Sequence, residues 1–165
     1  MTMTQKFLEQ LEEESTATRK MLSVVPDGKF DWKPHPKSMT IRELSSHVAE
    51  IPGWITTALT TDGLDVTQKQ LDPPVINTRA ELLDFFERSL VKGRTSLQHA
   101  TDQDLVPTWT MRYGDKVISV RAKEDVIRMC ISQIIHHRAQ LGVFLRLLDV
   151  RIPGPYGPSA DEKGM

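Results

Sequence analysis

Apolar residues recur in alternating steps of three and four in four stretches of this chain, the spacing that gathers side chains on one face of an α-helix. The first stretch, residues 3–25, brings Phe7, Leu11, Met21, Leu22 and Val25 together and stops at Pro26-Asp27-Gly28. The second begins at Thr40 and carries Ile41, Leu44, Val48, Ile51, Ile55 and Ala58. Thr40-x-x-Glu43 has the form of a capping box, in which a hydroxyl and a carboxylate each take up an orphan amide at the helix start. A second box, Thr78-x-x-Glu81, opens the third stretch, whose seam is Leu82, Phe86, Leu90 and Leu97. The fourth, about 122–149, reads Val126, Cys130, Ile134, His137, Leu141, Leu145 and Leu148.

The connections are of different kinds. Residues 26–39 (PDGKFDWKPHPKSM) hold too much Pro and Gly for a helix and predict an ordered loop, and residues 62–77 form a polar crossover ending in Pro73-Pro74. Between the third and fourth stretches, residues 109–118 alternate about Gly114-Asp115, which predicts a short hairpin. The tail, Pro153 to Pro158, cannot extend the last helix. The fold class predicted is therefore all-α: a four-helix bundle, one domain over residues 1–165, with a short β-hairpin before the last helix. Pro52-Gly53, inside the second helix, predicts a kink that widens the bundle into a pocket.

Composition narrows the function classes. Hydrophobic residues make up 39% and charged residues 26% of the chain, an ordinary globular balance. With 21 basic and 22 acidic residues the net charge is -1, and no basic tract supplies the footprint of a nucleic-acid binder. The polar start (MTMTQKFLEQLEEE) lacks a signal-peptide layout, no apolar run is long enough to span a membrane, and the one cysteine, Cys130, forms no internal disulfide. A cytoplasmic protein without nucleic-acid or membrane partners is expected.

The candidate chemistry lies in the histidines. Of His35, His47, His99, His136 and His137, two stand where a seam would hold Leu or Ile: His47 in the second helix and His137 in the fourth. A buried imidazole needs partners for both ring nitrogens, and a metal is one efficient solution because the second nitrogen can donate to a neighbour. Residue spacing alone leaves satisfied core histidines and metal ligands both open. His136 points about 100° away from His137 on an ideal helix, which makes it a surface residue, and His99 is placed to cap the third helix. Trp32 and His35 are expected to pack locally in their loop.

Residues 25–47 (VPDGKFDWKPHPKSMTIRELSSH), the run His136-His137-Arg138-Ala139-Gln140-Leu141, and residues 145–158 (LRLLDVRIPGPYGP) together resemble the DinB/YfiT-like superfamily. The resemblance spans nearly the whole chain in the right order. It implies a four-helix bundle that binds nickel, zinc or a similar divalent ion through three histidines, one on the second helix and two spaced four apart on the fourth. By position these are His47, residue 133 and His137. Here position 133 is Gln, whose neutral amide oxygen is a poorer ligand for such ions than imidazole. Three outcomes stay open: a weakened site that uses Gln133, a two-histidine site completed by water, or an empty pocket.

Glu50 can reach the same ion or orient an imidazole, Trp54 can wall the pocket, and Cys130 shares the face of His137. Arg138 is a candidate contact for an anionic substrate or for the loop 26–39, with an exposed or structural ion pair as the default. The resemblance further implies a metal-dependent enzyme on a small molecule, either a transferase or isomerase that uses a low-molecular-weight thiol as co-substrate or a hydrolase, and a homodimer. The competing expectation, which Gln133 favours, is a non-catalytic, stress-related binding protein with a structural or degenerate metal site.

Overall fold

The computed structural model describes residues 1–68 and 74–162. Four helices carry the fold: α1 (Met3–Leu22), α2 (Ile41–Thr60), α3 (Arg79–His99) and α4 (Lys123–Leu147). The two predicted capping boxes are formed at Thr40–Glu43 and Thr78–Glu81, and Thr2–Gln5 makes a third at the start of α1. α4 has no side-chain cap. It continues directly from a strand, with Glu124 and Asp125 in its first turn to oppose the positive end of the helix dipole.

α1 packs on α3 and α4, and α2 packs on the same two helices, so α1 and α2 stand on one diagonal of the bundle and α3 and α4 on the other. The seams meet in one buried cluster that includes Phe7, Leu11, Leu44, Ile55, Phe86, Leu90, Ile127 and Leu145. Diagonal neighbours need long connections, which accounts for the loop after α1 and the excursion between α3 and α4. The first of these is ordered by α2 itself: the amides of Ile41 and Arg42 donate to the carbonyls of Trp32 and Phe30, at 2.9 and 2.8 Å.

The excursion before α4 is the predicted hairpin, longer than expected: β2 (Thr108–Tyr113) pairs antiparallel with β3 (Lys116–Ala122) across a turn at Gly114, whose φ of 56° suits a residue without a Cβ. A further strand, β1 (Gly63–Asp65), lies in the segment read as a crossover and pairs parallel with β2. Gly63 is required there, since a Cβ would overlap the carbonyl of Thr110. Asp65 ties strand to turn by accepting from the amides of Thr67 and Gly114, at 2.9 and 3.0 Å. Pro73, placed in the same crossover, lies outside the described residues.

At Pro52, where the sequence predicts a kink, α2 meets α3 closely. α2 runs unbroken from Ile41 to Thr60. Pro52 is buried, and its carbonyl abuts Gly93 of α3 so closely that a Cβ there would overlap it. The two helices approach at this point because Gly93 removes the obstacle. Among the described residues, no helix is long and apolar enough to cross a membrane.

Arg138 makes the structural ion pair that is its default reading, as a strut between α4 and α1. Its side chain is 2% exposed and meets the Glu14 carboxylate at 2.7 Å. It also donates to the carbonyl of Glu14, to Thr18 Oγ1 and to the hydroxyl of Tyr156 in the tail, at 3.0, 3.1 and 2.9 Å. The long side chain of Arg138 faces away from the seam that carries His137, because adjacent helical positions diverge by about 100°. Removing one partner of a buried pair leaves a bare buried charge, at a cost of about 3–5 kcal/mol. Arg138→Met is therefore expected to lower the stability measured by urea unfolding by that amount, and Arg138→Met/Glu14→Met to recover much of it. A loss below about 1 kcal/mol for the single variant would contradict the assigned role.

Candidate metal centre

The site is built where α2 and α4 run antiparallel. At one end, the Lys123 ammonium of α4 donates to the carbonyl of Leu59 of α2 at 3.1 Å, which pins the two helices in register. His47 lies 12 residues back along α2 from Leu59, and His137 lies 14 residues forward along α4 from Lys123. At 1.5 Å per residue these are paths of about 18 and 21 Å, so the two histidines arrive at the same level. Their rings meet edge to face, with centroids 4.6 Å apart.

Each ring is held by a partner three residues later on its own helix. His47 Nδ1–H donates to Glu50 Oε1 at 2.9 Å, and His137 Nδ1–H donates to Gln140 Oε1 at 2.9 Å. A carboxylate or amide oxygen can only accept, so the proton sits on Nδ1, and in the neutral ring Nε2 carries the lone pair. Glu50 thus orients an imidazole, one of the two roles read for it from sequence. Gln140, the partner of His137, lies off the apolar seam and is exposed. The signal that finds it is a repeat: His47-Val-Ala-Glu50 and His137-Arg-Ala-Gln140 are the same His-x-Ala-Glu/Gln spacing on two facing helices.

Around this pair the other candidates separate. Trp54, seven residues after His47, packs edge to face on its ring at 5.2 Å between centroids, as expected of a wall. Gln133 stands one turn before His137 on α4 and is half-buried. Cys130 is buried a further turn back, and burial pushes its thiol up to about 12, so it is a neutral thiol and no ready ligand. His136 is exposed, as its helical angle predicts, yet its ring lies 4.8 Å from that of His137. Among the described residues, no group of three or more His, Cys, Asp or Glu side chains is arranged to hold a metal. Of the three ligands that the resemblance implies, the structure brings the rings of His47 and His137 together, with Gln133 one turn before His137 on α4.

One cavity is lined by His47, and a second lies beyond Trp54. The first, about 290 Å³, is lined by His47, Glu50, Ser46, Arg42 and residues 74–76. The Ser46 hydroxyl in its wall is buried without a hydrogen-bond partner among the described residues, an unpaired polar group that costs free energy unless something in the cavity meets it. The second cavity is apolar and reaches Trp54 and Cys130. His35 acts locally as expected, its Nδ1 accepting from the Lys37 amide at 3.1 Å, and His99 Nδ1–H donates to the carbonyl of Thr95 at 2.8 Å near the end of α3; Trp32 instead reaches across to pack on Phe144 of α4.

Comparison with known proteins agrees with this architecture. The sequence model of the DinB family matches residues 1–163. The chain is 25% identical over 160 residues to the uncharacterized protein YrdA of Bacillus subtilis, covering 94% of this chain and 89% of that one. Among solved structures, it resembles YfiT from Bacillus subtilis, described as a probable metal-dependent hydrolase with an unusual four-helix bundle topology. The TM-score is 0.64 at 17% identity, covering 88% of this chain and 87% of that one. It also resembles the mycothiol-dependent maleylpyruvate isomerase, with a TM-score of 0.61 at 12% identity, covering 86% of this chain and 63% of that one.

Burial, followed by the nearby rings of His47 and His136, holds His137 below the usual imidazole value, against the opposing hydrogen bond to Gln140. The unfolded chain therefore binds more protons than the folded one near pH 6. The contribution of His137 to stability is full above its unfolded value of about 6.5 and is lost as pH falls through the lower folded value. In the metal-free protein, the imidazole proton signals of His137 are expected to titrate with a midpoint below 6.5, with the neutral form protonated on Nδ1. A midpoint at or above that value, or protonation on Nε2, would contradict the arrangement.

Proposed function

The chain belongs to the DinB family, and from that premise we propose that it is a divalent-metal-dependent enzyme acting on a small molecule. In this reading His47 and His137 hold the ion through Nε2, and Gln133 offers its amide oxygen as a weaker third ligand. The observation that carries the proposal is the facing pair of imidazoles, each fixed through Nδ1 by an acceptor on its own helix. Such second partners set the tautomer and raise the basicity of the ligating nitrogen. Nickel and zinc are among the first-row divalent ions that imidazole nitrogen suits.

A bound divalent ion supplies Lewis acidity, lowering the pKa of a thiol or a water molecule so that it becomes a nucleophile near neutral pH. The residues of the chain do the remaining work. Glu50 and Gln140 keep the two rings in place, and Trp54 excludes water from one side of His47. The polar cavity beside His47, with Glu50 and the unpaired Ser46 hydroxyl, accepts the polar body of a small co-substrate. A low-molecular-weight thiol fits this role; the likeness to a mycothiol-dependent isomerase supports it, while the likeness to YfiT supports hydrolysis on the same centre.

Gln133 favours a second reading, a non-catalytic binding protein with a weak or structural metal site. The two part company in one set of measurements. Purified protein supplied with nickel or zinc is expected to retain one ion per chain after dialysis, and His47→Ala or His137→Ala to lose it. Gln140→Ala, which frees an imidazole without removing it, is expected to weaken binding by about 10–100-fold, and Gln133→His to tighten it. Metal-dependent consumption of a thiol with an electrophile, or of a hydrolysable ester, is then expected of the loaded protein alone. No retained ion, or metal binding indifferent to both His→Ala changes, would defeat the proposal. Stoichiometric metal without turnover would favour the second reading.

A further inference from the structure

The cavity of about 170 Å³ at the Trp54 end of the imidazole pair is unlike the polar one beside Glu50. Its walls come from Trp54 on α2, Met129 and Cys130 on α4, and Leu64, Trp109 and Met111 on the sheet, and no charged side chain reaches it. β1, the strand hidden in the crossover, thus has a purpose: it closes this space from outside. The polar atom of Trp109 is already used, its Nε1–H donating to Thr61 Oγ1 at 3.0 Å. Cys130 is held as a neutral thiol by burial. Thr57 contributes the one hydroxyl among the lining residues.

A buried water needs two to four polar partners, whereas a dry apolar cavity of about 150 Å³ is large enough to take up benzene. A charged or strongly polar occupant would be stripped of water here with nothing to replace it. We propose that this cavity binds a compact apolar ring of the size of benzene or toluene. Resting on the metal-centred reading above, it seats the apolar moiety of the molecule on which the centre acts. Two contacts place it there: Trp54 both walls the cavity and packs on the ring of His47, and Cys130 stands one turn before Gln133 on α4. Trp54 is thus the side chain shared by the cavity and the imidazole pair.

Toluene titrated into metal-free, ¹⁵N-labelled protein provides the test, read on the three tryptophan indole signals. Those of Trp54 and Trp109 are expected to shift saturably, while Trp32, which packs on Phe144 in the loop after α1, stays still. Val66 lines the cavity but is 46% exposed, so Val66→Phe narrows it without disturbing the core. This variant is expected to bind toluene about tenfold more weakly. Absence of saturable shifts, equal shifts of all three indoles, or unchanged binding by Val66→Phe would overturn the cavity assignment.

The link to the centre is read separately. In nickel-loaded protein the bound toluene protons are expected to broaden through the unpaired electrons of the ion, and in His137→Ala protein to stay sharp while binding persists. Toluene binding in a protein that takes up no metal would overturn the link and leave the cavity. Metal uptake without toluene binding would overturn the cavity and leave the centre.

Discussion

Two imidazoles packed edge to face in a helix seam impose the constraint around which this bundle is arranged. Neither ring can be buried with idle nitrogens at no cost, and two protonated rings at a centroid separation of 4.6 Å would repel each other. The chain meets half of the requirement itself. Glu50 and Gln140 accept the Nδ1 protons, and burial keeps His137 neutral. The other half, a partner for each Nε2, is what a divalent ion would supply in the proposed reading.

The surrounding fold fixes that pair rather than merely enclosing it. Lys123 sets the register of α4 against α2, and the Gly93–Pro52 approach clamps α3 to the opposite side of α2. Arg138 does the same for α1 and α4, with its charge absorbed by Glu14 and the tail's Tyr156. The sheet closes the end of the seam beyond Trp54 and so separates an apolar space from the polar one near Ser46 and Glu50. The two cavities differ in the side chains they offer, Glu50, Arg42 and Ser46 in one and no charged group in the other.

Much of this was legible in the sequence because helices declare themselves by period and by caps. Four seams, two capping boxes and a Gly-Asp turn predict the helices and the hairpin within a few residues, and two histidines out of place in a seam predict the pair. What stayed hidden depends on contacts between distant segments. A strand of three residues such as Gly63–Asp65 has no period of its own; its register follows from the missing Cβ of Gly63 and the hydrogen bonds of Asp65. Pro52 predicts an opening by local chemistry, yet Gly93, 41 positions later, turns the same place into a close approach. Arg138 adjoins His137 in sequence and so invites a functional reading, but one step along a helix turns it to α1. Gln140 was within reach, through the repeated His-x-Ala-Glu/Gln spacing.

X-ray absorption on the zinc- or nickel-loaded protein counts imidazoles around the ion and so addresses the pair directly. The account predicts two imidazole ligands, with oxygen donors filling the remaining positions. In His137→Ala protein, any ion still bound is predicted to show no more than one imidazole. An ion surrounded by oxygen alone, or the same spectrum in the His47→Ala and His137→Ala proteins, would contradict it.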